Sequence, residues 1–568
     1  MVADIAAGLL HNLFFRAPAM APATRNSGGQ SLRSIALLVA VATALSKVAG
    51  LVRQQVIAAA FGVGAAYDAY NYAYVLPGFL LILLGGINGP FHSAMVSVMA
   101  KQERAESARL LAAINTLVGT ALLGATLLLV LLADPLITLV GPGLDPSLHD
   151  MAVLQLRLMA PMALFAGLIG LGFGALNAAD EFWLPAISPL VSSLAVLLGL
   201  GLLWMQAGPA ISTPAWAIAG GAVLAISTLA GAILQWLIQL PALARQGLGQ
   251  LRLNFNWKQP GVADVLKVMG PATMASGMLQ INVYTDLFFA SGIIGAAAGL
   301  GYAGLLVQTP LGILSNMLLV PLLPVFARLT APEQRDELLQ RIRQGLMLSN
   351  ASMLPLGALM VALAGPIVAL IYERGAFNAG AASLVVGILI AYGIGMPAYL
   401  GRDVLVRVFY ALGDGTTPFR ISMGGIGFNA LFDWLLVGAP VPHGMLLPNF
   451  NLGAPGLVLA TVAVNVLSSL VLLLALQHRL GTMPLGAWGR DSLLLALAAL
   501  IAGVLAWGLA HWITWPPHLL GKLLQVGICG GVGAAVYGLV AGGLGVPEAR
   551  QLGRQLSQKL PWAQSTVR

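Results

Sequence analysis

Charge is scarce in this chain. Only 8% of its 568 residues are Asp, Glu, Lys or Arg, against about 25% in a soluble globular protein. So few polar side chains cannot cover the three or four water-facing domains that the length would otherwise allow. Cysteine is nearly absent: a single residue excludes a disulfide framework and a cysteine-built metal site. No G-x-x-x-x-G-K-[ST] occurs, so no ATP motor is encoded, and no H-E-x-x-H or G-x-S-x-G stands in a plausible soluble context. The strand-length alternation of a lipid-facing barrel is missing as well. What abounds is apolar: 58% of residues, with a mean hydropathy of +0.88. The expected class is an all-α integral membrane protein.

Apolar runs long enough to cross a ~30 Å hydrocarbon layer recur at about 34–61, 69–99, 108–133, 151–176, 184–207, 214–240, 262–294, 297–327, 344–371, 379–412, 419–438, 453–477, 491–512 and 519–545. Fourteen is even, so both termini fall on one side. With that side cytoplasmic, 21 of the 28 lysines and arginines lie in tails and inner loops, while the outer loops keep Arg374 and Lys522. This positive-inside asymmetry explains the net charge of +8 without nucleic acid, and anionic membrane lipids fit the same basic residues. Residues 1–33 have no basic stretch before an apolar one, which argues for a flexible cytoplasmic extension over a cleaved signal peptide.

The longest polar interruption, 241–261, splits the first twelve spans into six and six. A sequence echo supports duplication: Phe173-Gly174-Ala175-Leu176 closes the fourth span and Phe409-Tyr410-Ala411-Leu412 the tenth, each followed by a polar turn and a proline, Pro185 or Pro418. Two lobes of equal parity are parallel repeats about an axis along the membrane normal. The expected organisation is an extension (1–33), a first lobe (34–240), a linker (241–261), a second lobe (262–478), two further spans (479–545) and a cytoplasmic tail (546–568).

A charge at bilayer depth by default marks a pathway or a pair. Lys47 sits about 20 Å along the first span, and Arg53 lies beyond Gly50, which permits a bend that would turn both cations to one side. Two cations in a wet cavity suit an anionic headgroup such as a pyrophosphate. The alternative is a structural pair with Asp68. The second span is broken by Gly85, Gly86, Gly89 and Pro90, and carries Asn88 and His92 one turn apart. Such backbone either lines a cavity or lets helices pack closely. Asp286 in the seventh span, Asn429 and Asp433 one turn apart in the eleventh, and Thr461 in the twelfth fall at similar depth. They form an oxygen-rich set suited to a hard cation or a proton. The other reading is separate hydrated acids at helix ends. Arg157, Arg402, Asp403 and Arg407 read as interface anchors.

At this point the residues resemble the MurJ/MviN family of lipid II flippases. The motifs are S-K-V-A-G-L-V-R-Q-Q-V-I-A-A-A-F-G (46–62), Asp68-Ala69-Tyr70, Leu76-Pro77, L-I-Y-E-R-G-A-F (370–377) and A-L-G-D-G-T-T-P (411–418). The resemblance covers about 34–545 and implies the two-lobed fold of the multidrug/oligosaccharidyl-lipid/polysaccharide exporters, with spans thirteen and fourteen forming a groove for the lipid tail. It implies outward movement of undecaprenyl-pyrophosphate-linked disaccharide pentapeptide across the bacterial plasma membrane for peptidoglycan synthesis. No catalytic residue or transition metal is implied, and the cell-wall synthesis machinery is an expected partner. Headgroup contacts are then expected from Lys47, Arg53, Asp68, Asn88, His92 and Gln308. A sodium site of some members maps onto Asp286, Asn429, Asp433 and Thr461, with sodium, a proton or the membrane potential as the coupling source.

The chain departs from the family pattern at Gly78–Ile82, where two arginines are usual, at Asn88–Phe91 in place of E-G-A-F, and at Gly304-Leu305, where another arginine is lost. Its cavity is therefore less cationic. The rival readings are an exporter of another polyprenyl-linked sugar or of cationic drugs, a membrane-embedded glycosyl- or phosphotransferase, and a non-transporting scaffold. A drug exporter would favour acids in its cavity, and a transferase would need clustered acids or histidines in a headgroup loop.

Overall fold

The computed structural model describes residues 32–85, 89–249, 252–278, 280–438 and 450–544. Most of the expected extension, the whole of the tail and Asn88 therefore lie outside the described residues. Twenty α-helices are described: α1 (Leu32–Phe61), α2 (Ala65–Gly85), α3 (Pro90–Met99), α4 (Arg104–Leu131), α5 (Ala133–Val140), α6 (Pro146–Met159), α7 (Met162–Ala178), α8 (Trp183–Ala207), α9 (Ala217–Leu237) and α10 (Gln239–Arg245) in the first half. After the linker come α11 (Val262–Met278), α12 (Ile281–Ala290), α13 (Ala296–Ala327), α14 (Arg335–Ala362), α15 (Ala364–Ile371), α16 (Ala379–Ala411), α17 (Thr416–Val437), α18 (Ala454–Leu480), α19 (Leu485–Trp512) and α20 (Leu519–Gly543). Helix is the backbone's solution to hydrocarbon, because each N–H and C=O is satisfied within its own segment.

Among the described residues nine helices are long and apolar enough to cross a membrane, and the pair α6–α7, bent by 41° at Ala160-Pro161, makes a tenth. The other four expected spans are α1, the broken pairs α2–α3 and α11–α12, and α17. They carry Lys47, Arg53, Asp68, Asp286, Asn429 and Asp433. The fold is thus consistent with fourteen crossings.

The two halves repeat one packing plan. In the first, α1 packs on α8, α8 on α9, and α7 meets α3, α4 and α9; in the second, α12 packs on α17, α17 on α18, and α16 meets α13, α14 and α18. A local feature repeats too. The 28-residue helices α4 and α14 each break at one leucine, Leu132 (φ −98°) and Leu363 (φ −111°), before an eight-residue helix. Phe173 and Phe409, from the echoed motif, are both fully buried, each anchoring the central helix of its half. The last two helices stand apart: α19 packs on α14 and α20 on α15, joined by an Arg343–Asp491 pair at 2.6 Å and a Lys522–Glu373 pair at 2.9 Å. Their outer flank presents Leu493, Leu500, Val504 and Leu520 at about half exposure or more, as a lipid-facing surface would.

Candidate functional site

On the face opposite the basic loops, the two halves are sewn together. Asp68, at the start of α2, is 2% exposed and accepts the backbone N–H groups of Gly295 (3.1 Å) and Ala298 (2.9 Å), so it caps α13 of the other half. A carboxylate on unsatisfied N–H groups at a helix N-terminus is favourable both as a cap and against the helix dipole. The Tyr302 hydroxyl donates to the Gly62 carbonyl (2.8 Å), the Tyr372 hydroxyl to the Tyr302 carbonyl (3.1 Å), and the Ala376 N–H to the Ala59 carbonyl (2.8 Å). Rings of Tyr67, Tyr302, Tyr372 and Phe377 pack through this seam in tilted and edge-on pairs with centroids 4.9–5.5 Å apart.

Two glycines make the closeness possible. Gly375 has φ +58° and a Cβ there would lie 2.3 Å from the Ala59 carbonyl oxygen; Gly62 has φ +55° and its Cβ would lie 2.6 Å from that of Ala376. Both conditions exclude a side chain. This is the physical content of the A-F-G and R-G-A-F motifs. Asp68 is committed to the seam, so no pair with Lys47 or Arg53 forms, and it stands at a closed contact between halves instead of in a hollow.

Toward the basic face the contacts along this face of α13 thin out. Gly301 of α13 sits against Asn71 and Tyr67, yet Gly304 meets only Gln308 of its own helix, at 3.8 Å, and Gly312 meets nothing within 4 Å. Gly50 of α1 and Gly270 of α11 also face open space. Residues 301, 304, 308 and 312 share one helix face, so exposed Gln308 lies on the side of α13 that turns toward α2 and the space below the seam.

Helix α1 runs unbroken through Gly50. Lys47 and Arg53, six residues apart, therefore project about 120° from one another, and the expected turning of both to one side does not occur. Lys47 is exposed. Arg53 is half-buried, its Nε enclosed without a hydrogen-bond partner. Tyr67, Tyr70 and Tyr74 form a stacked ladder on α2 (5.8 and 5.4 Å). Gln54 next to Arg53 donates to the Tyr67 hydroxyl. Among the described residues no acid pairs with either cation. Unpaired buried guanidinium edges are costly, and an anionic group is the partner that removes the cost.

His92 is placed elsewhere. It is 7% exposed between α3 and α7, 2.7 Å from Asn177 Nδ2, and Gly174 packs onto its backbone. Its surroundings are those of a helix-packing seam.

The acid-rich set assembles as spacing suggested. Asn429 Nδ2 donates to Asp286 Oδ1 (2.9 Å) and to Asp433 Oδ2 (2.9 Å), while Thr461 Oγ1 donates to Asn429 Oδ1 (3.2 Å). Asn429 and Asp433 are fully buried, and Asp433 Oδ1 has no hydrogen-bond partner. Two carboxylates bridged by one amide in a low-dielectric interior repel unless a cation or proton neutralises one. The oxygen donors and the orphan Asp433 Oδ1 fit a hard cation.

A cavity of about 510 Å³ adjoins this cluster, bounded by α12, α16, α17 and α18. Ser422, Gly425 and Asn429 line it at helical spacing on α17, and Thr461, Asn465 and Ser468 on α18, leading to Arg402 and Asp403 near the basic face. Arg402 donates to Ser422 Oγ (2.7 Å), and Arg407 to the Leu319 carbonyl (3.0 Å). Sequence reading missed this polar seam. Its signal was present as Thr461-x-x-x-Asn465-x-x-Ser468 on one face of an apolar helix.

Comparison with known proteins bears on both halves. A family model described as "Lipid II flippase MurJ" matches residues 57–524. A probable lipid II flippase MurJ of Synechocystis sp. is 51% identical over 543 residues, covering 95% of this chain and 99% of that protein. The lipid II flippase MurJ of Burkholderia cenocepacia is 29% identical, over 84% of this chain and 89% of its own. Among solved structures, a lipid II flippase MurJ in an inward closed conformation aligns with a TM-score of 0.69 at 22% identity, covering 89% of this chain and 98% of that one. An inward-facing MATE family transporter of the MOP superfamily aligns with 0.53 at 14% identity, over 80% and 99%. The likenesses to solved structures bear on the fold.

Proposed function

This chain belongs to the MurJ family of lipid II flippases, and from that membership we propose that it carries lipid II across the bacterial plasma membrane by alternating access. The basic face is the cytoplasmic one in this reading, with both termini on it. The single observation that supports the proposal most is Arg53: a half-buried guanidinium next to the tyrosines of α2, with no acid paired to it and its Nε without a partner among the described residues.

The cycle follows from those parts. The diphosphate of the undecaprenyl-linked headgroup enters from the cytoplasmic leaflet past Lys47 and meets Arg53, whose fixed fork suits phosphate oxygens. Gln308 offers amide hydrogen bonds to the sugar or peptide. The prenyl tail stays in lipid along α19 and α20. Neutralising Arg53 with substrate removes the cost of its burial, and the gain is available to open the seam held by Asp68 and the Gly62/Gly375 contacts. Rocking of the two similarly packed halves, which are related by an axis along the membrane normal, against one another then exposes the headgroup outside.

Resetting is assigned to Asp286, Asn429, Asp433 and Thr461. These residues would hold sodium or a proton, which supplies neutralising charge to the acid pair. The neighbouring cavity toward Arg402 and Asp403 offers a wetted approach from the cytoplasmic side. Peptidoglycan synthesis outside the membrane consumes the exposed lipid.

The test is transport of lipid II by the purified chain in liposomes, paired with complementation of a flippase-depleted strain. Protease- or label-accessible lipid II on the far leaflet, and restored growth, are expected. A chain that inserts and folds yet moves no lipid II overturns the proposal.

A further inference from the structure

The segment joining the two halves carries a pattern that transport does not use. Residues 252–256 carry no helix, and Trp257 and Lys258 lie in a turn that follows them. Leu253, Phe255 and Trp257 are 82%, 58% and 74% exposed, while Asn254 between them is half-buried. The strap is held firmly in that pose. The Asn254 N–H donates to Thr116 Oγ1 of α4 (2.9 Å), the Asn256 N–H to Asn254 Oδ1 (3.1 Å) and the Lys258 N–H to Asn256 Oδ1 (3.1 Å).

The depth of this contact is informative. Arg109 is the last charge along α4, and Thr116 lies seven residues, about 10 Å, further into the span. The strap thus meets the helix on the hydrocarbon side of the last α4 charge. Aromatic side chains are favoured at that boundary, and Arg252 and Lys258 bracket the three apolar ones.

Beneath the strap lies a notch of about 210 Å³, walled by Leu111, Leu168, Trp236 and Leu243, with Arg252 at its rim. Asn115 also lines it, and its Oδ1 is buried without a hydrogen-bond partner. The notch therefore offers apolar walls, one guanidinium for a phosphate, and one amide oxygen waiting for a hydroxyl donor.

We propose that Arg252–Lys258 and this notch form a binding site for an anionic, hydroxyl-bearing phospholipid of the cytoplasmic leaflet, of the phosphatidylglycerol type. Leu253, Phe255 and Trp257 enter the acyl region, Arg252 and Lys258 take phosphates, and the headgroup glycerol reaches Asn115. The site pins the joint between the halves to the membrane surface. It does not depend on the identity of the transported lipid.

The test uses the full chain in nanodiscs containing phosphatidylcholine with or without phosphatidylglycerol. Cys529, the lone and buried cysteine, is replaced (Cys529→Ala), and a bimane is attached at Trp257→Cys or, as a second position, Phe255→Cys. Doxyl groups near the headgroup end of a lipid chain are expected to quench it, and aqueous iodide to do so poorly. Doxyl-phosphatidylglycerol is expected to quench more than doxyl-phosphatidylcholine, by about fivefold per basic residue engaged. Arg252→Gln with Lys258→Gln brings that ratio toward one. Iodide quenching with silent lipid probes at both positions, or equal quenching by the two lipids in the unaltered strap, overturns the proposal.

Discussion

The first six-helix half and the second share a packing plan but not a chemistry. The first holds Arg53, a cation without an acid partner among the described residues, near tyrosines; the second holds the acids Asp286 and Asp433, bridged by Asn429. Helix pairings and the leucine breaks after α4 and α14 repeat between the halves. The charges differ while the packing plan is kept: Asp433 is fully buried and Arg53 half-buried, each among the polar groups of its own half. In the proposed cycle one scaffold would thereby carry an anion-facing half and a cation-facing half.

The contrast can be broken most severely at Arg53. Arg53→Ala removes one partner of a desolvated charge pair, for which losses of about 2–5 kcal/mol are typical. Lipid II transport in liposomes is expected to fall roughly a hundredfold, with Arg53→Lys intermediate and exposed Lys47→Ala milder. Normal outward exposure of lipid II in depleted cells carrying Arg53→Ala would remove the anion-facing role of the first half.

The second half is probed next, by Asp433→Asn. The expected result is loss of any sodium-induced rise in Tm and of sodium- or proton-dependent acceleration, with lipid II binding retained. An unchanged sodium response would return the acids to a structural role. The seam between halves comes third. Gly375→Ala places a Cβ at positive φ against the Ala59 carbonyl, a strain of about 1–3 kcal/mol felt only in the outer-closed state. Labelling of Val63→Cys by an impermeant maleimide, in a Cys529→Ala background, should rise at least fivefold or so; no change would mean the seam is not the gate.

The smallest effect lies in the loop after α16. Hydrogen bonds from the Thr417 N–H and hydroxyl, with the Arg479 guanidinium (2.8 Å) and Thr416 N–H adding, hold the Asp414 carboxyl below its usual range. A depressed pKa means that this support is present above about pH 4, the unfolded value, and is lost as pH falls through the folded one. Asp414→Ala should therefore lower Tm slightly at neutral pH and not at all in strong acid. A deficit persisting in acid would deny the charge a part.

Much was legible in the chain itself. Runs of apolar residues dictate membrane helices, since backbone groups have no other partner in hydrocarbon. Basic residues collected in alternate loops suggest which face is which, and Asn429-x-x-x-Asp433 had to share a face because a helix turns every 3.6 residues. Rules of this kind are local and periodic. They failed at Lys47 and Arg53, where Gly50 permitted a bend that packing did not impose, and at His92, whose neighbour Asn177 is 85 residues away. Asp68 shows why: nothing near it in sequence says that its partners are the N–H groups of Gly295 and Ala298, over two hundred residues on. The chain's composition determined that it lives in a bilayer and which residues would be costly there. Only the packing of one half against the other decided which of those residues is paired off in a seam and which is left facing an open space, because that outcome depends on atoms brought together across the whole fold.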